Sequence, residues 1–384
     1  MASEIVVRPV AGKADFNTFV KLAYTLNASD PHWVPPLHSE AVKALTPAKN
    51  PFFDHATVQL LVAWRGKQPV GRISAHIDHL ALEQPREQGL GPGTGNWGMF
   101  EAADRDVATA LLTTAESWLR DRGMTRALGP LSLSIWEEPG LLTQGHHHSP
   151  MIMMGHDNAA YEGWVEAAGH SPVKRLLTYE VPVSNGFPNI VQRIVKSGER
   201  NDKIVIRELD LSRYDEEPLL ILSLLNEAWS ANWGFVPLTD AEIADAQKNL
   251  KPVVIDGMNV IAEYGGEPAA FMLSLPDINE AIKTLNGRLF PFGWSRLLYR
   301  LWRKRWHGFR VPLMGVSRKH QNSRLASQLA FMMVERIRQK GVDDYNIQRA
   351  EVGWVLEDNR GMVAIAEAIN GEINRVYTIY EKQL

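Results

Sequence analysis

The pattern of apolar and polar positions in the first half of this chain recurs in the second half. Residues 63–70 and 262–269 share the sequence Ala-x-x-Gly-x-x-Pro between apolar segments, which predicts a β-hairpin in each half. After an insertion, each hairpin is followed by apolar residues at helical spacing, over 108–123 and over 325–341. Both predicted helices end in a basic turn and a glycine.

A short helix is predicted near the end of each half, at 161–169 and at 362–371, with a strand before it. A turn-forming cluster at 184–188 separates the halves. The simplest account is a tandem duplication of one α/β unit, with a first domain over 1–183 and a second over 184–384. Chance similarity at a few positions is the alternative.

The second half contains a basic, amide-rich turn between a predicted strand at 310–317 and the predicted helix at 325–341. The first N–H groups of a helix have no intrahelical partner and can hold a diphosphate. The turn is therefore the best candidate for a cofactor site, and an ordinary solvated helix start is the alternative. The matching segment of the first half, 95–104, carries acidic residues instead. We therefore expect the first half to shape substrate access.

Composition narrows the function classes. The 384 residues are 45% hydrophobic and 22% charged, which is typical of a folded protein of two domains. A net charge of −3 gives no reason to expect nucleic acid as a partner. The chain has no cysteine, which excludes disulfides and thiolate nucleophiles. We expect no metal site at the histidines of 146–148, and a cytoplasmic location because no secretion signal or membrane span is evident.

Residues 289–306 form an amphipathic, basic insertion before the predicted strand at 310–317. As a helix, this segment places Trp294, Leu298 and Trp302 on one face and basic residues such as Arg300 elsewhere. Such a helix suits an anionic membrane surface. We predict peripheral contact with the inner face of the cytoplasmic membrane through 289–306, with packing over the domain interface as the alternative.

The turn at 321–326 resembles the pyrophosphate loop of the GNAT acyltransferase superfamily, Gln/Arg-x-x-Gly-x-Gly/Ala. Gln321 and Ala326 match its ends, whereas Arg324 replaces the middle glycine. The arginine could add a phosphate contact or obstruct the approach of the ligand. The resemblance implies two tandem GNAT-like α/β domains, each a mixed, mostly antiparallel central sheet flanked by helices, the first of them degenerate. It also implies an acyl-CoA site made of Val316, Gln321, Asn322, Ser323, Arg324, Leu325, Ala326 and Asn359.

The chemistry that the resemblance implies is attack of an amine on a thioester, which needs a base. Glu351 is our first choice, since it lies on an alternating strand among apolar neighbours. A structural carboxylate paired with an arginine is an equally weighted alternative. Members of the superfamily often carry a tyrosine acid at the position of Ala366. We predict that Tyr377 or Tyr380 takes that role, with a place in the core as the alternative.

Four segments, at 30–37, 50–56, 232–237 and 353–359, resemble a narrower family of large bacterial GNAT-like proteins, and the likeness covers nearly the whole chain. One branch of that family, the bacterial ceramide synthases, acylates the amine of a sphingoid base. This resemblance implies a long-chain acyl-CoA and a lipid amine as substrates. A small-molecule N-acetyltransferase using acetyl-CoA and a non-catalytic, degenerate GNAT binding protein are the alternatives.

Overall fold

The computed structural model describes residues 4–210, 216–303, 306–321 and 323–384. Within these ranges, thirteen strands form one mixed sheet. The strands are β1 Ile5–Pro9, β2 Ala56–Arg65, β3 Gln68–Asp78, β4 Thr94–Ala102, β5 Arg126–Gly129, β6 Leu141–Gln144, β7 Ser171–Pro182, β8 Ile204–Glu208, β9 Val260–Tyr264, β10 Glu267–Pro276, β11 Gly308–Val316, β12 Arg349–Leu356 and β13 Glu372–Gln383. The α-helices are α1 Gly12–Leu26, α2 His38–Ala44, α3 His79–Leu82, α4 Arg105–Arg120, α5 Ala160–Ala167, α6 Asn189–Glu199, α7 Glu217–Trp229, α8 Asp240–Leu250, α9 Asn279–Ile282, α10 Gly293–Arg303, α11 Arg324–Tyr345 and α12 Arg360–Ala368.

The two halves exchange strands at the centre of the sheet. The strand order is β1-β2-β3-β4-β5-β13-β7-β12-β11-β10-β9-β8, and β6 pairs with β13 off this path. Thus β13, from the end of the chain, pairs with β5 of the first half, while β7 pairs with β12 of the second half. The domain boundary at 183 and 184 stays a prediction. A cut there would separate β7 from β12 and β13.

The predicted repeat is present in the structure. Both hairpins form, as β2–β3 and as β9–β10, and each half has a long helix and a short one. The predicted helix end at Gly341 was wrong, because α11 continues to Tyr345. Asn346 ends the helix in a left-handed conformation, with φ of 60° and its N–H bonded to the Gly341 carbonyl.

The central strands of the second half, β11 and β12, run parallel for a short distance and then separate. Their pairing covers only Gly308 to Val311 against Arg349 to Val352. Beyond these residues, β11 stays paired with β10, and β12 stays paired with β7. Helices α6 and α11 pack on one face of this half of the sheet, and α7 packs on the other. We name the region between the unpaired ends of β11 and β12 the cleft.

Candidate functional site

The predicted strand, turn and helix of the cofactor site form as β11 and α11. Ser323 caps the helix, since its Oγ accepts a hydrogen bond from the Ala326 N–H at 3.2 Å. The Gln321 side chain donates to the carbonyls of Val316, at 2.8 Å, and Ala228, at 3.2 Å. Its amide therefore ties the turn to the end of α7. Asn322, a predicted cofactor residue, lies outside the described residues.

Arg324, which replaces the glycine of the family loop, is exposed at the first position of α11. It lines a surface groove of about 340 Å³ between α6 and α11. The other lining residues are Ile190, Arg193, Ile194, Ser197, Ser327 and Gln328. Two guanidinium groups beside a helix N-terminus match the charge and the hydrogen-bonding needs of phosphates. The groove thus fits the phosphate part of CoA.

Asn359 lies on the other side of the cleft and caps α12. Its Oδ1 accepts a hydrogen bond from the Met362 N–H at 3.1 Å. The half-buried Val316 ends β11. Leu325 and Ala326, both half-buried, lie in the first turn of α11. The structure therefore brings the described members of the predicted cofactor set to one end of the second half's sheet, where two helices begin.

Glu351 is fully buried on β12 and belongs to an ion-pair network. Its Oε2 accepts hydrogen bonds from the Arg375 guanidinium and from Asn374 Nδ2, the latter at 2.7 Å. Its Oε1 has no hydrogen-bond partner among the described residues. Arg310 lies opposite Glu351 in the β11–β12 pairing. Burial lowers the pKa of Arg310 to about 10, although the charge of Glu351 acts in the other direction.

The segment 149–155 covers this network through its backbone carbonyls. Arg310 donates to the carbonyls of Ile152, at 2.7 Å, and Met153, at 2.8 Å, and Arg375 donates to that of Ser149 at 2.6 Å. The Glu351–Arg375 pair is the arrangement expected of a structural carboxylate, the alternative that the sequence left open.

Tyr377, the predicted acid, lies under the same cover. Its hydroxyl donates to the Gly155 carbonyl at 2.9 Å, and the residue is fully buried. Burial raises the pKa of this hydroxyl above its usual range. Tyr380 is also fully buried, and its hydroxyl lies 3.5 Å from Glu162 Oε1. In this arrangement neither tyrosine is open to solvent.

A second carboxylate cluster, around Glu137 and Glu138, is not predicted by any pattern in the sequence. Burial raises the pKa of Glu137 to about 8, and that of Asp157 also to about 8. The pKa of Glu138 is raised overall, although the charge of Arg72 acts in the other direction and the residue is exposed. A Cβ atom placed on Gly155 would lie 3.6 Å from Glu138 Oε2, so Glu138 lies close to the residue whose carbonyl accepts the Tyr377 hydrogen bond. No local pattern in the sequence predicts that Glu138 lies close to Gly155.

The histidine segment 146–148 follows β6 in the chain. His146 Nε2 lies 3.0 Å from the Leu142 carbonyl oxygen. In the described part of the chain, no group of three His, Asp or Glu side chains is placed to hold a metal ion. None of the helices described there is long and apolar enough to cross a membrane.

The predicted amphipathic helix forms as α10, but its apolar residues divide between two faces. Leu297 and Leu301 pack against the core of the second half. Trp306 is buried in the same core, and Leu289 is half-buried. Six other large apolar residues of this insertion are exposed: Phe290 79%, Phe292 73%, Trp294 47%, Leu298 56%, Tyr299 54% and Trp302 76%. They are half of the large hydrophobic residues that are exposed in the described ranges, so we name them the α10 patch.

Sequence comparison finds relatives that match the chain over its whole length. A bacterial ceramide synthase of Caulobacter vibrioides is 44% identical over 384 residues, which cover 100% of this chain and 98% of that protein. Protein YghO of Escherichia coli K12 is 38% identical over 381 residues, covering 99% and 95%. No protein-family model matches.

Solved structures share the fold at low sequence identity. A tandem GNAT protein from the clavulanic acid biosynthesis pathway has a TM-score of 0.55 at 12% identity, covering 99% of this chain and 98% of that one. A GCN5-related N-acetyltransferase from Sphaerobacter thermophilus has a TM-score of 0.51 at 12% identity, covering 99% and 95%. These likenesses confirm the predicted tandem GNAT fold.

Proposed function

The chain belongs to the family of large tandem GNAT acyltransferases that includes a bacterial ceramide synthase, and from this premise we propose that it transfers a long-chain acyl group from acyl-CoA to the amine of a sphingoid-type lipid. The observation that carries the proposal is the cleft between β11 and β12, with the starts of α11 and α12 beside it. Arg193 and Arg324 would hold the phosphates of CoA. Asn359 would lie beside the pantetheine arm.

The reaction forms a bond between the amine nitrogen and the thioester carbon and breaks the bond between that carbon and sulfur. The amine loses one proton, and the CoA thiolate leaves and gains one. Backbone N–H groups at the end of β11, over 313–316, are our candidates to stabilise the carbonyl oxygen as it gains negative charge. They lie where β11 has separated from β12.

Glu351 stays our candidate for the base and Tyr377 for the acid. Glu351 lies one residue before the end of the β11–β12 pairing, and Tyr377 packs against Trp354 of β12. Because the segment 149–155 covers both, it would have to move before either group could touch a substrate. Glu138 is a further candidate to take the proton, since its carboxylate also lies close to Gly155.

Calorimetric titration with CoA and with palmitoyl-CoA tests this function. We expect the intact protein to bind palmitoyl-CoA more tightly than CoA. Arg324→Glu should weaken the binding of both ligands at least tenfold, because it places a negative charge beside the phosphates. Arg120→Glu is the matched control, since Arg120 is exposed on α4 in the other half.

The titration also separates the alternatives. Equal affinity for the two ligands would favour a small-molecule acetyltransferase, and no binding of either would favour a non-catalytic protein. Unchanged affinity in Arg324→Glu would place the phosphate site elsewhere.

We also propose that the protein binds peripherally to anionic membrane through 289–306, on the cytoplasmic side, where a lipid amine would be available. Exposed aromatic side chains beside Arg296, Arg300 and Arg303 suit the headgroup region of such a membrane. The inner face of α10 packs on the second half, so the helix is held with the α10 patch outward.

Sedimentation with phosphatidylglycerol-containing liposomes tests the membrane proposal. The triple variant Phe292→Ser, Leu298→Ser, Trp302→Ser should stay in the supernatant, because it removes three of the six exposed apolar side chains of the patch. Val205→Ser with Leu219→Ser, which changes exposed apolar residues elsewhere, should sediment like the unchanged protein. Equal sedimentation of all three proteins would contradict the proposal.

A further inference from the structure

A long irregular segment lies over the buried Glu351 network. Residues 145–159, between β6 and α5, contain no helix or strand. Loops of this length without secondary structure are uncommon in compact domains and are often active-site lids. Within this loop, Met153 has a φ of 59°, a backbone conformation that residues other than glycine rarely adopt. These features single out the segment 149–155, which we name the cover.

Methionine side chains anchor the cover to the protein below it. Met151 and Met154 are buried among apolar residues of both halves, whereas Met153 is 42% exposed. Methionine is flexible and repacks readily. Movement of the cover away from the sheet would therefore bring two further apolar side chains to the surface, beside one that is already there.

Helix α9 and the turn after it connect the cover to the α10 patch. Asn279 Nδ2 donates to the Pro150 carbonyl at 2.8 Å, and Lys283 Nζ donates to Ser149 Oγ at 2.8 Å. Phe290, the first residue of the α10 patch, follows shortly after Lys283 in the chain. The same short stretch of chain therefore holds one end of the cover and leads into the patch.

The start of α10 also packs directly on this stretch. A Cβ atom placed on Gly293, the first residue of α10, would lie 3.5 Å from Leu285 Cδ2. Leu285 is buried and ends the turn that Lys283 begins. A displacement of α10 would thus reach, through Leu285, the side chains that hold the cover.

We propose that the cover is a lid that opens when the α10 patch binds an anionic membrane, so that acyl transfer requires the membrane surface. This inference rests on the proposed membrane binding and acyl transfer and assigns their regulation. A membrane shifts the protein toward the open form only if it binds that form more tightly. Met151 and Met154 supply this difference, since on opening they would enter the apolar layer beside the patch. In solution, the closed cover keeps Glu351 and Tyr377 away from water and from other amines.

Hydrogen exchange of the unchanged protein tests the lid. We expect the amide hydrogens of 149–155 to exchange roughly tenfold faster with phosphatidylglycerol-containing liposomes than without them, while those of the β2–β3 hairpin keep their rates. Phosphatidylcholine liposomes should leave the exchange of 149–155 slow. The variant Phe292→Ser, Leu298→Ser, Trp302→Ser should stay slow with either lipid.

Two outcomes of this experiment would overturn the lid. Exchange of 149–155 that is unchanged or slower, in protein that sediments with the liposomes, would show that membrane binding does not open the cover. Unchanged protein that does not sediment would contradict the membrane proposal, and the lid with it.

A cross-link that holds the cover closed gives a second test. The chain has no cysteine, so Ser149→Cys with Lys283→Cys creates a unique thiol pair where the two side chains now touch. Bridging this pair with a short bifunctional maleimide should abolish amide formation, while palmitoyl-CoA still binds and the protein still sediments with liposomes. Lys340→Cys with Asp344→Cys, bridged across one turn of α11, is the matched control and should stay active.

The cross-link separates failure of the lid from failure of the proposed function. Amide formation at the unbridged rate by the bridged Ser149→Cys, Lys283→Cys protein would overturn the lid. Failure of the unchanged protein to bind either CoA or palmitoyl-CoA would instead contradict the acyl-transfer proposal itself.

Discussion

Glu351→Ala is expected to destabilise the protein by roughly 3–5 kcal/mol, the usual result of removing one partner from a buried ion pair. The carboxylate of Glu351 is fully buried, and Arg375 is 1% exposed. Without Glu351, the charges of Arg375 and of the neighbouring Arg310 would stay buried with no anion against them. Their remaining partners are mainly the backbone carbonyls of Gly353 and of the segment 149–155.

Thermal melting measures this effect, and Glu372→Ala is the matched control. Glu372 is exposed at the start of β13, so its removal should change the melting temperature little. The same experiment separates a structural role from a catalytic one. If Glu351→Ala melts like the unchanged protein and still binds palmitoyl-CoA but forms no amide, the destabilisation prediction is wrong and Glu351 is a catalytic base.

A double variant further distinguishes a structural role of Glu351 from a catalytic one. Replacing a buried ion pair by apolar residues of similar size is often neutral or stabilising. Glu351→Met with Arg375→Met should therefore recover much of the stability lost in the single variant. If a stable double variant still forms the amide, Glu351 is not the catalytic base. Glu138, which lies close to Gly155, would then be the remaining candidate.

Local pattern in the sequence was enough to predict the repeat, the hairpins and the strand, turn and helix at Arg324. These features depend on residues close in the sequence, through helical periodicity and turn residues. The end of α11 shows the limit of that approach. Gly341 has the composition signal of a helix end, but it packs inside the helix beside Met258 and Ile347, and Asn346 supplies the left-handed residue instead.

The surroundings of the site residues could not be predicted, because they depend on distant segments. The sequence gives no sign that Arg375, rather than another arginine, pairs with Glu351. Nor does it show that carbonyls of 149–155, in the other half, bind Arg310 and Tyr377. The carboxylate cluster at Glu137 could not be predicted for the same reason. Trp136 stacks on Trp229 with ring centroids 5.8 Å apart and so ties that loop to the second half.

Because the two halves exchange strands, a second large effect on folding is expected when each half is expressed alone. We expect residues 184–384 alone to fail to fold, because β7 would be missing between β12 and β13. That strand pairs with β12 from Arg349 to Leu356 and with β13 from Glu372 to Glu381. Residues 1–183 alone would lack β13, which pairs with β5 and β6, and should fail for the same reason.

Expressed together, the two fragments should assemble, since each supplies the strand that the other lacks. We expect each fragment alone to be insoluble or to lack a cooperative thermal transition, and the coexpressed pair to purify as one complex that binds CoA. Hydrogen bonds and apolar contacts along β7 and β13 would hold this complex together without a covalent link. A fragment 184–384 that melts cooperatively and binds CoA like the intact chain would show that the second half is an independent domain, and the exchanged strands would then be dispensable for the cofactor site.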